Sequence, residues 1–475
     1  MTASPAPAGQ KVTLPISLGL IAGPALSMVD SSAVNVAVPD LAGELGRPIG
    51  TVQWTISGYL LAMALGLALT PFLARRFGLL PAYIGGLVLF VISSLACALA
   101  PGAGALIAFR AVQGLAGAPL VPLAVGLLIG RGGVAEGGRR GNVPITAALV
   151  LFAAPALGAS LGGLLIGAYG WRSIFLVNLP VGLAALPGAL AAHRAGLGTP
   201  PRPGTRPDLP GLALLATGLG MVTYGVQEAG GQGWSNPWWP AGLALLACYV
   251  AWWTRARSAA ALDLDLVRDP GRALTLGLCM VSGVVLYAVL FLVPLYLQSI
   301  QHRPAAAAGL ALLPQGLAMG LSAPLGEKIV ERSSVRAAVV AGMLLLALTT
   351  GAMAALTAGA PIWLTTLVLC GRGLAVGLTS QPLVLALLGG LAPERVPDGN
   401  TLFSVAQRLA GSFGIALLTT FFAARGTATG SALTAFHETV LVLAAVAALG
   451  AFCAVWLRRA GPAPGPAAAE RRAAP

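Results

Sequence analysis

The sequence predicts an all-α polytopic membrane protein with fourteen transmembrane helices. Three observations carry that prediction. Apolar residues gather in blocks of about 20, the length that crosses a hydrocarbon core of about 30 Å. Charge is sparse, at 9% of the 475 residues, while 57% are hydrophobic; a soluble domain has about 25% charged residues. The basic residues concentrate in short loops on one side of the blocks, as topogenic charge does. A β-barrel would show short alternating strands instead.

In chain order the blocks lie at roughly 13–38, 50–73, 79–100, 103–130, 142–168, 172–193, 209–228, 237–255, 273–300, 305–330, 335–358, 361–390, 400–424 and 436–458. The first is too long for the apolar core of a cleavable signal and is expected to be a true span. An even count puts both termini on one side. With that side cytoplasmic, the outer loops keep only Arg47, Arg172, Arg303 and Arg425. The expected location is a cell (inner) membrane, crossed many times, with cytoplasmic termini. The net charge of +13 then reflects topology, and the bilayer, not nucleic acid, is the expected partner. The five cysteines are isolated in apolar runs and have no metal-binding spacing.

An internal repeat divides the chain. At an offset of 256 residues Arg47-Pro48 falls on Arg303-Pro304, Leu61-Ala62-Met63 on Leu317-Ala318-Met319, and Arg76 on Arg332. After a three-residue shift, Gly114-Leu115-Ala116 falls on Gly373-Leu374-Ala375. The predicted organisation is a tail (1–12), a six-helix half (13–193), a Pro/Gly/Arg-rich linker (194–208) and an inserted two-helix hairpin (209–255). A connector (256–272), a second six-helix half (273–458) and an unstructured tail (459–475) follow. Repeated halves describe a secondary transporter that handles substrate at their interface.

Charges inside the spans are few, and such charges mark pathways or lock helices. Asp30 in span 1 and Arg110 in span 4 both lie about 10–14 Å below the same boundary at 1.5 Å per residue, taking span 1 to end near Pro39. Equal depth allows an ion pair. Such a pair serves either as a proton switch, in which burial favours neutral Asp30 and Arg110 favours the carboxylate, or as a static lock. Arg372 in span 12 has no acidic partner in the second half, and Arg408 in span 13 is expected to snorkel toward one end. Candidates to line a substrate cavity are Tyr59, Gln113, Phe152, Tyr287, Phe291, Gln315, Arg372, Gln381, Phe403 and Gln407. In span 5, Gly158/Gly162 and Gly163/Gly167 form two small-residue registers that permit close helix approach, beside a Pro155 that would serve as a hinge. Glu331 and Arg332 end span 10 in a charge cluster. No phosphate-binding loop and no HExxH motif occurs, which excludes an ATPase or a metalloprotease.

Five runs point to a family when taken together. They are Asp30 with Asn35-Val-Ala-Val-Pro39; Gln53-Trp54 with Tyr59; Arg110-Ala-Val-Gln113-Gly114; Ala154-Pro155-Ala-Leu-Gly158-Ala-Ser-Leu-Gly162-Gly163; and Gly170-Trp171-Arg172-Ser-Ile-Phe175-Leu-Val-Asn178-Leu-Pro180. Over about residues 13–458 the chain resembles the major facilitator superfamily, and within it the fourteen-span drug:proton antiporter branch. The resemblance implies a major facilitator fold, no enzymatic activity, and no cofactor beyond the proton gradient. It further implies proton-coupled export of small amphipathic or hydrophobic compounds by a functional monomer. Asp30 and Arg110 would couple protons; Arg75, Arg76, Gly78, Pro155, Gly158, Gly162, Gly163, Glu331 and Arg332 would serve gating or helix packing. Import or facilitated passage of a small solute on the same fold is the alternative; a membrane enzyme or lipid-handling protein lacks a visible constellation. Where the family usually shows Gly-x-Leu-Ala-Asp-Arg-x-Gly-Arg-Lys between spans 2 and 3, this chain has Pro71-Phe-Leu-Ala-Arg75-Arg76-Phe-Gly78-Leu79-Leu80. The acid and the trailing basic residues are gone, so a latch of the usual kind is not expected.

Overall fold

The computed structural model describes residues 14–129, 145–197, 207–256, 262, 264–391 and 395–457, without the side chains of 14, 128–129, 145–156, 230–232, 323, 327 and 397. The N-terminal helices are α1 (Leu14–Glu44), α2 (Ile49–Val52), α3 (Trp54–Phe77), α4 (Leu79–Ala98), α5 (Ala103–Gly117), α6 (Leu120–Ile129), α7 (Ile145–Tyr169), α8 (Ser173–Leu176) and α9 (Asn178–Arg194). Next come α10 (Leu209–Gln232) and α11 (Trp238–Ala256), and after a 3₁₀ turn at Leu264–Arg268, α12 (Pro270–Leu295). The chain ends with α13 (Ala305–Arg332), α14 (Val335–Ala352), α15 (Ile362–Leu388), α16 (Val396–Thr429) and α17 (Ala432–Ala454).

Twelve stretches are long and apolar enough to cross a bilayer among the described residues. Helices occupy the other two predicted segments as well, but neither meets both criteria there. For α7 the apolar stretch Leu157–Tyr169 is described. In α11, Trp238, Trp239, Trp252, Trp253 and Arg255 dilute the apolar character. The predicted tails lie outside the described residues, as does the linker except for residues 194–197 and 207–208.

Several boundaries differ from those predicted, and in each case backbone chemistry gives the reason. The first helix does not end near Pro39; α1 runs through both Pro24 and Pro39 to Glu44. In hydrocarbon a broken helix leaves polar backbone with no water to turn to, so helix on both sides of a proline is retained. Span 4 is interrupted at Ala118-Pro119 into α5 and α6, and a π-turn at Tyr296–Ile300 ends α12. Between α3 and α4 the chain reverses at Gly78, whose φ of 89° lies in the region that glycine tolerates without a Cβ clash.

Small residues let the helices interlock. A Cβ on Gly158 would lie 2.1 Å from Ser32 Oγ, and one on Gly162 would lie 2.8 Å from Ala33, both on α1. A Cβ on Gly163 would lie 2.4 Å from the Ala305 carbonyl of α13, and one on Gly309 would lie 2.4 Å from the Ala159 carbonyl of α7. The two registers predicted in span 5 therefore face different neighbours: Gly158/Gly162 seat α7 on α1, and Gly163 seats it on α13. Ser160 Oγ donates to the Gly309 carbonyl at 3.1 Å across the same seam.

Three further links join the first helices to the last. Ser412 Oγ on α16 donates to the Ser57 carbonyl on α3 at 2.9 Å, and Ser57 Oγ returns a longer bond of 3.4 Å to the Ser412 carbonyl. Gln298 Nε2 donates to the Val36 carbonyl of α1 at 2.8 Å. The α10–α11 hairpin packs beside the α3–α16 seam, where Gln227 Nε2 reaches the Gly50 carbonyl and Thr420 Oγ1 of α16 reaches the Val226 carbonyl at 3.4 Å. These links gather toward the end of the bundle that carries Gly46, Gly170 and Gln301.

Replacing Gly163 by Val should lower stability by about 1–3 kcal/mol, the usual effect of overpacking a close contact, because the opposing atom is backbone. Replacing Gly167 by Ala should be near neutral, since a Cβ there meets only Ala306 Cβ at 3.8 Å. Thermal unfolding of the two variants in detergent checks the contrast.

Candidate functional site: a buried ion pair and its donors

Asp30 on α1 and Arg110 on α5 meet as predicted. Their side chains are fully buried, and Arg110 Nη1 makes an ion pair with Asp30 Oδ2. The other carboxylate oxygen, Oδ1, accepts from Gln113 Nε2 at 3.2 Å and from Asn178 Nδ2 at 2.9 Å. Both oxygens are thus acceptors, and donors from α5 and α9 converge on a carboxylate carried by α1.

The helices present these groups through simple spacing. Arg110 and Gln113 are three residues apart on one face of α5, so Arg110 Nη1 also donates to Gln113 Oε1 at 2.6 Å. Arg110 Nε donates to the Thr55 carbonyl of α3 at 3.1 Å. The guanidinium carbon sits 3.9 Å from the centroid of the Tyr59 ring and 5.7 Å from that of Phe175. Such cation–π contacts contribute on the order of 0.5–2 kcal/mol, the larger value where water is excluded. Gly114 makes the stack feasible, because a Cβ there would lie 2.6 Å from the Tyr59 carbonyl. The Tyr59 hydroxyl and Ser27 Oγ lie 3.4 Å apart, and Ser27 Oγ donates to the Gly117 carbonyl at 3.4 Å. On the other flank Asn178 Nδ2 donates to Ser94 Oγ at 2.9 Å, which in turn donates to the Phe175 carbonyl.

Two predicted cavity residues take a different place. Tyr59 and Gln113 are components of the ion-pair cluster, fully enclosed by α1, α3, α5 and α9. Asn178 and Ser94 were not singled out as site residues, although a buried amide in an apolar helix carries the same signal as Asp30.

Apart from Phe152 on α7, the remaining cavity candidates lie on the C-terminal helices. A Cβ on Gly411 of α16 would meet Tyr287 of α12 at 2.3 Å, and one on Gly283 of α12 would meet Gln407 at its carbonyl. Phe291 is buried on α12, and the Phe403 carbonyl accepts from Cys279 Sγ at 3.6 Å. Gln315 packs its carbonyl against Gly373, Arg372 donates to the Val285 carbonyl, and Gln381 is half-buried on α15. Among the described residues no hydrogen bond links these side chains to one another. The side chains of Phe152 and Pro155 lie outside the described residues. Arg408 is half-buried on α16, and its Nε is buried without a hydrogen-bond partner among the described residues. Arg75, Arg76, Glu331 and Arg332 are exposed at helix ends, and no ion pair joins them among the described residues.

Membrane-length helices packed around a buried acid–base pair define a polytopic helical membrane protein. The family model for the Major Facilitator Superfamily matches residues 20–415. The "Multidrug resistance protein B homolog" of Mycobacterium tuberculosis is 35% identical over 409 residues, covering 83% of this chain and 73% of that protein. The "Multidrug export protein EmrB" of Escherichia coli is 29% identical, covering 89% and 82% of the two chains. The "Methylenomycin A resistance protein" of Streptomyces coelicolor is 29% identical, covering 87% and 85%. The crystal structure of the nucleoside transporter NupG superposes with a TM-score of 0.63 at 13% identity, over 94% of this chain and all of that one; that likeness shows the fold. The chain belongs to the major facilitator superfamily, and it is accordingly a membrane transporter and not an enzyme.

Removing one partner of the pair strands a buried charge, which costs about 3–5 kcal/mol. Arg110→Met should lower stability by that order. Adding Asp30→Asn to Arg110→Met should restore much of the loss, since the stranded charge goes too. Thermal unfolding of the single and double variants measures this coupling.

Proposed function

We propose that the protein exports small amphipathic or hydrophobic compounds in exchange for protons by alternating access. The observation that carries this reading is the Asp30–Arg110 pair, enclosed with all three carboxylate donors in place. Intramembrane ionisable residues usually mark ion pathways. The printed names of the relatives, two of multidrug resistance or export and one of resistance to methylenomycin A, support a drug cargo.

The chemistry available to the pair is a proton exchange. A proton can enter at Asp30 Oδ2, where Arg110 is the one donor among the described residues and a second lone pair remains, or it can displace Gln113 or Asn178 at Oδ1. Neutral Asp30 no longer holds Arg110 by charge, so the guanidinium is left with Thr55, Gln113 and the Tyr59 ring. Because Asp30 sits on α1, Arg110 on α5 and Asn178 on α9, a change of charge there alters how three helices are tied together. The same α1 is interlocked with α7, which in turn grips α13. That continuity offers a route by which protonation biases one set of helices against the other.

Orientation follows from the basic loops. With both termini cytoplasmic, the Ser57–Ser412, Ser160–Gly309 and Val36–Gln298 bonds lie toward the outer end. They support an arrangement closed to the outside. No cofactor beyond the proton gradient enters this reading, and a monomer suffices for it.

Everted vesicles carrying the wild-type protein, given an acid interior, should accumulate toxic amphipathic dyes from a panel. Asp30→Asn should abolish that accumulation while leaving dye exchange down a gradient within about two-fold. Uphill accumulation that survives Asp30→Asn would reject proton coupling through this residue.

A further inference from the structure

Arg372 is the other arginine buried at 0% exposure, and the proton exchange at Asp30 makes no use of it. It lies on α15. Its Nη2 donates to the Val285 carbonyl of α12, and its Nε and Nη1 have no partner among the described residues. Asp30 is the one acid that is buried among the described residues, and it is committed to Arg110. At the repeat position of Asp30 the second half carries Leu286. The N-terminal helices therefore bury a neutralised pair, and the C-terminal helices bury a lone cation.

The surroundings of Arg372 are also under-satisfied. Ser282 Oγ on α12, Gln315 Oε1 on α13 and Thr365 Oγ1 on α15 are buried without partners. Ser282 and Gln315 are placed near Arg372 by register or contact, and Thr365 lies further along the same helix. Ser282 is one turn from Val285, whose carbonyl Arg372 touches. Gln315 packs its carbonyl against Gly373, the next residue on α15. Thr365 lies two turns before Arg372 on the same helix face. Along that face Leu369 and Val376 are buried at 0% and 1% exposure, so the surroundings of Arg372 on α15 are apolar.

An unpaired guanidinium in a membrane interior is destabilising, so its presence calls for a ligand. The planar fork of N–H groups matches an oxyanion two bonds at a time, with the hydroxyl and amide groups nearby able to donate to the remaining lone pairs. We propose that Arg372 receives the acidic group of the transported compound. The favoured cargo is then an amphipathic organic monoanion, a carboxylate or similar oxyanion on an apolar body. This rests on the transporter reading above and names its substrate class.

The test is equilibrium binding to the purified full-length protein in detergent. The probes are naphthalene-2-carboxylate, pyrene-1-butyrate and decanoate, each against its own primary amide. The wild type is expected to bind at least one acid ten-fold or more tightly than its amide. Arg372→Gln should erase that preference while leaving amide affinity within two-fold, and Arg372→Lys should keep part of it. The Tm of Arg372→Gln and Arg372→Met should be unchanged or raised, because a buried unpaired charge is removed. A wild type that prefers no acid, or a preference that survives Arg372→Gln, overturns the proposal. So does a large fall in Tm in both variants, which makes Arg372 a structural residue. A chloride-dependent rise in wild-type Tm that Arg372→Gln removes, without any acid preference, assigns the site to an inorganic anion and overturns it as well. Binding needs no gradient, so Asp30→Asn should retain the acid preference. A failure of proton-driven transport is thereby distinguished from a failure of anion recognition.

Discussion

The structure depends on a charge that the membrane interior does not tolerate alone. Asp30 lies at the centre of α1 with no access to water, and a carboxylate there needs donors on every side. Arg110, Gln113 and Asn178 supply them from α5 and α9. Their own positions are then constrained: the guanidinium is clamped by the Thr55 carbonyl and the Tyr59 ring of α3, and Asn178 is held by Ser94 of α4. Five helices are oriented by the requirement to satisfy one acid. Two polar atoms of the cluster, Arg110 Nη2 and Asn178 Oδ1, are buried without a hydrogen-bond partner among the described residues.

The rest of the bundle is held by a different force. Lipid tails are as apolar as leucine, so helices in a membrane gain little from burying apolar surface against each other and rely on close packing. The seams are correspondingly lined by glycine, alanine and serine. On α7, Gly158 and Gly162 meet α1 while Gly163 meets α13, so a single helix is interlocked on both sides. The serine bonds at Ser57–Ser412 and Ser160–Gly309 use carbonyls that already belong to helices. These joints are short-ranged and weak individually, which suits surfaces that slide or separate during a transport cycle.

The halves are related by repeat but are not chemically equivalent. One has closed its electrostatic account within itself. The other retains a cation without a counter-charge, surrounded by buried hydroxyl and amide groups. If protons act at Asp30 and cargo at Arg372, as proposed above, coupling would pass through helix packing instead of direct competition for one residue.

Much was legible in the sequence because hydrocarbon imposes simple rules. Apolar block length located the twelve membrane-length helices among the described residues, and the scarcity of charge singled out Asp30, Arg110 and Arg372. Equal depth even suggested the pairing of Asp30 with Arg110, since rise per residue is constant along a helix. The small-residue registers of span 5 were visible too, though not that they face two different helices. What the sequence could not decide was lateral: which helices are neighbours, and which way each side chain turns. Tyr59 and Gln113 looked like cavity residues, and packing placed them around the ion pair. Asn178 lay unremarked in its motif, and only the approach of α9 to α1 made it a carboxylate donor. Pro39 looked like a helix end, because local propensity favours a break there; the absence of water along the bundle kept α1 continuous. Periodicity and composition report depth and exposure one helix at a time. Partnership is a property of the assembled bundle, and tertiary structure alone decides it.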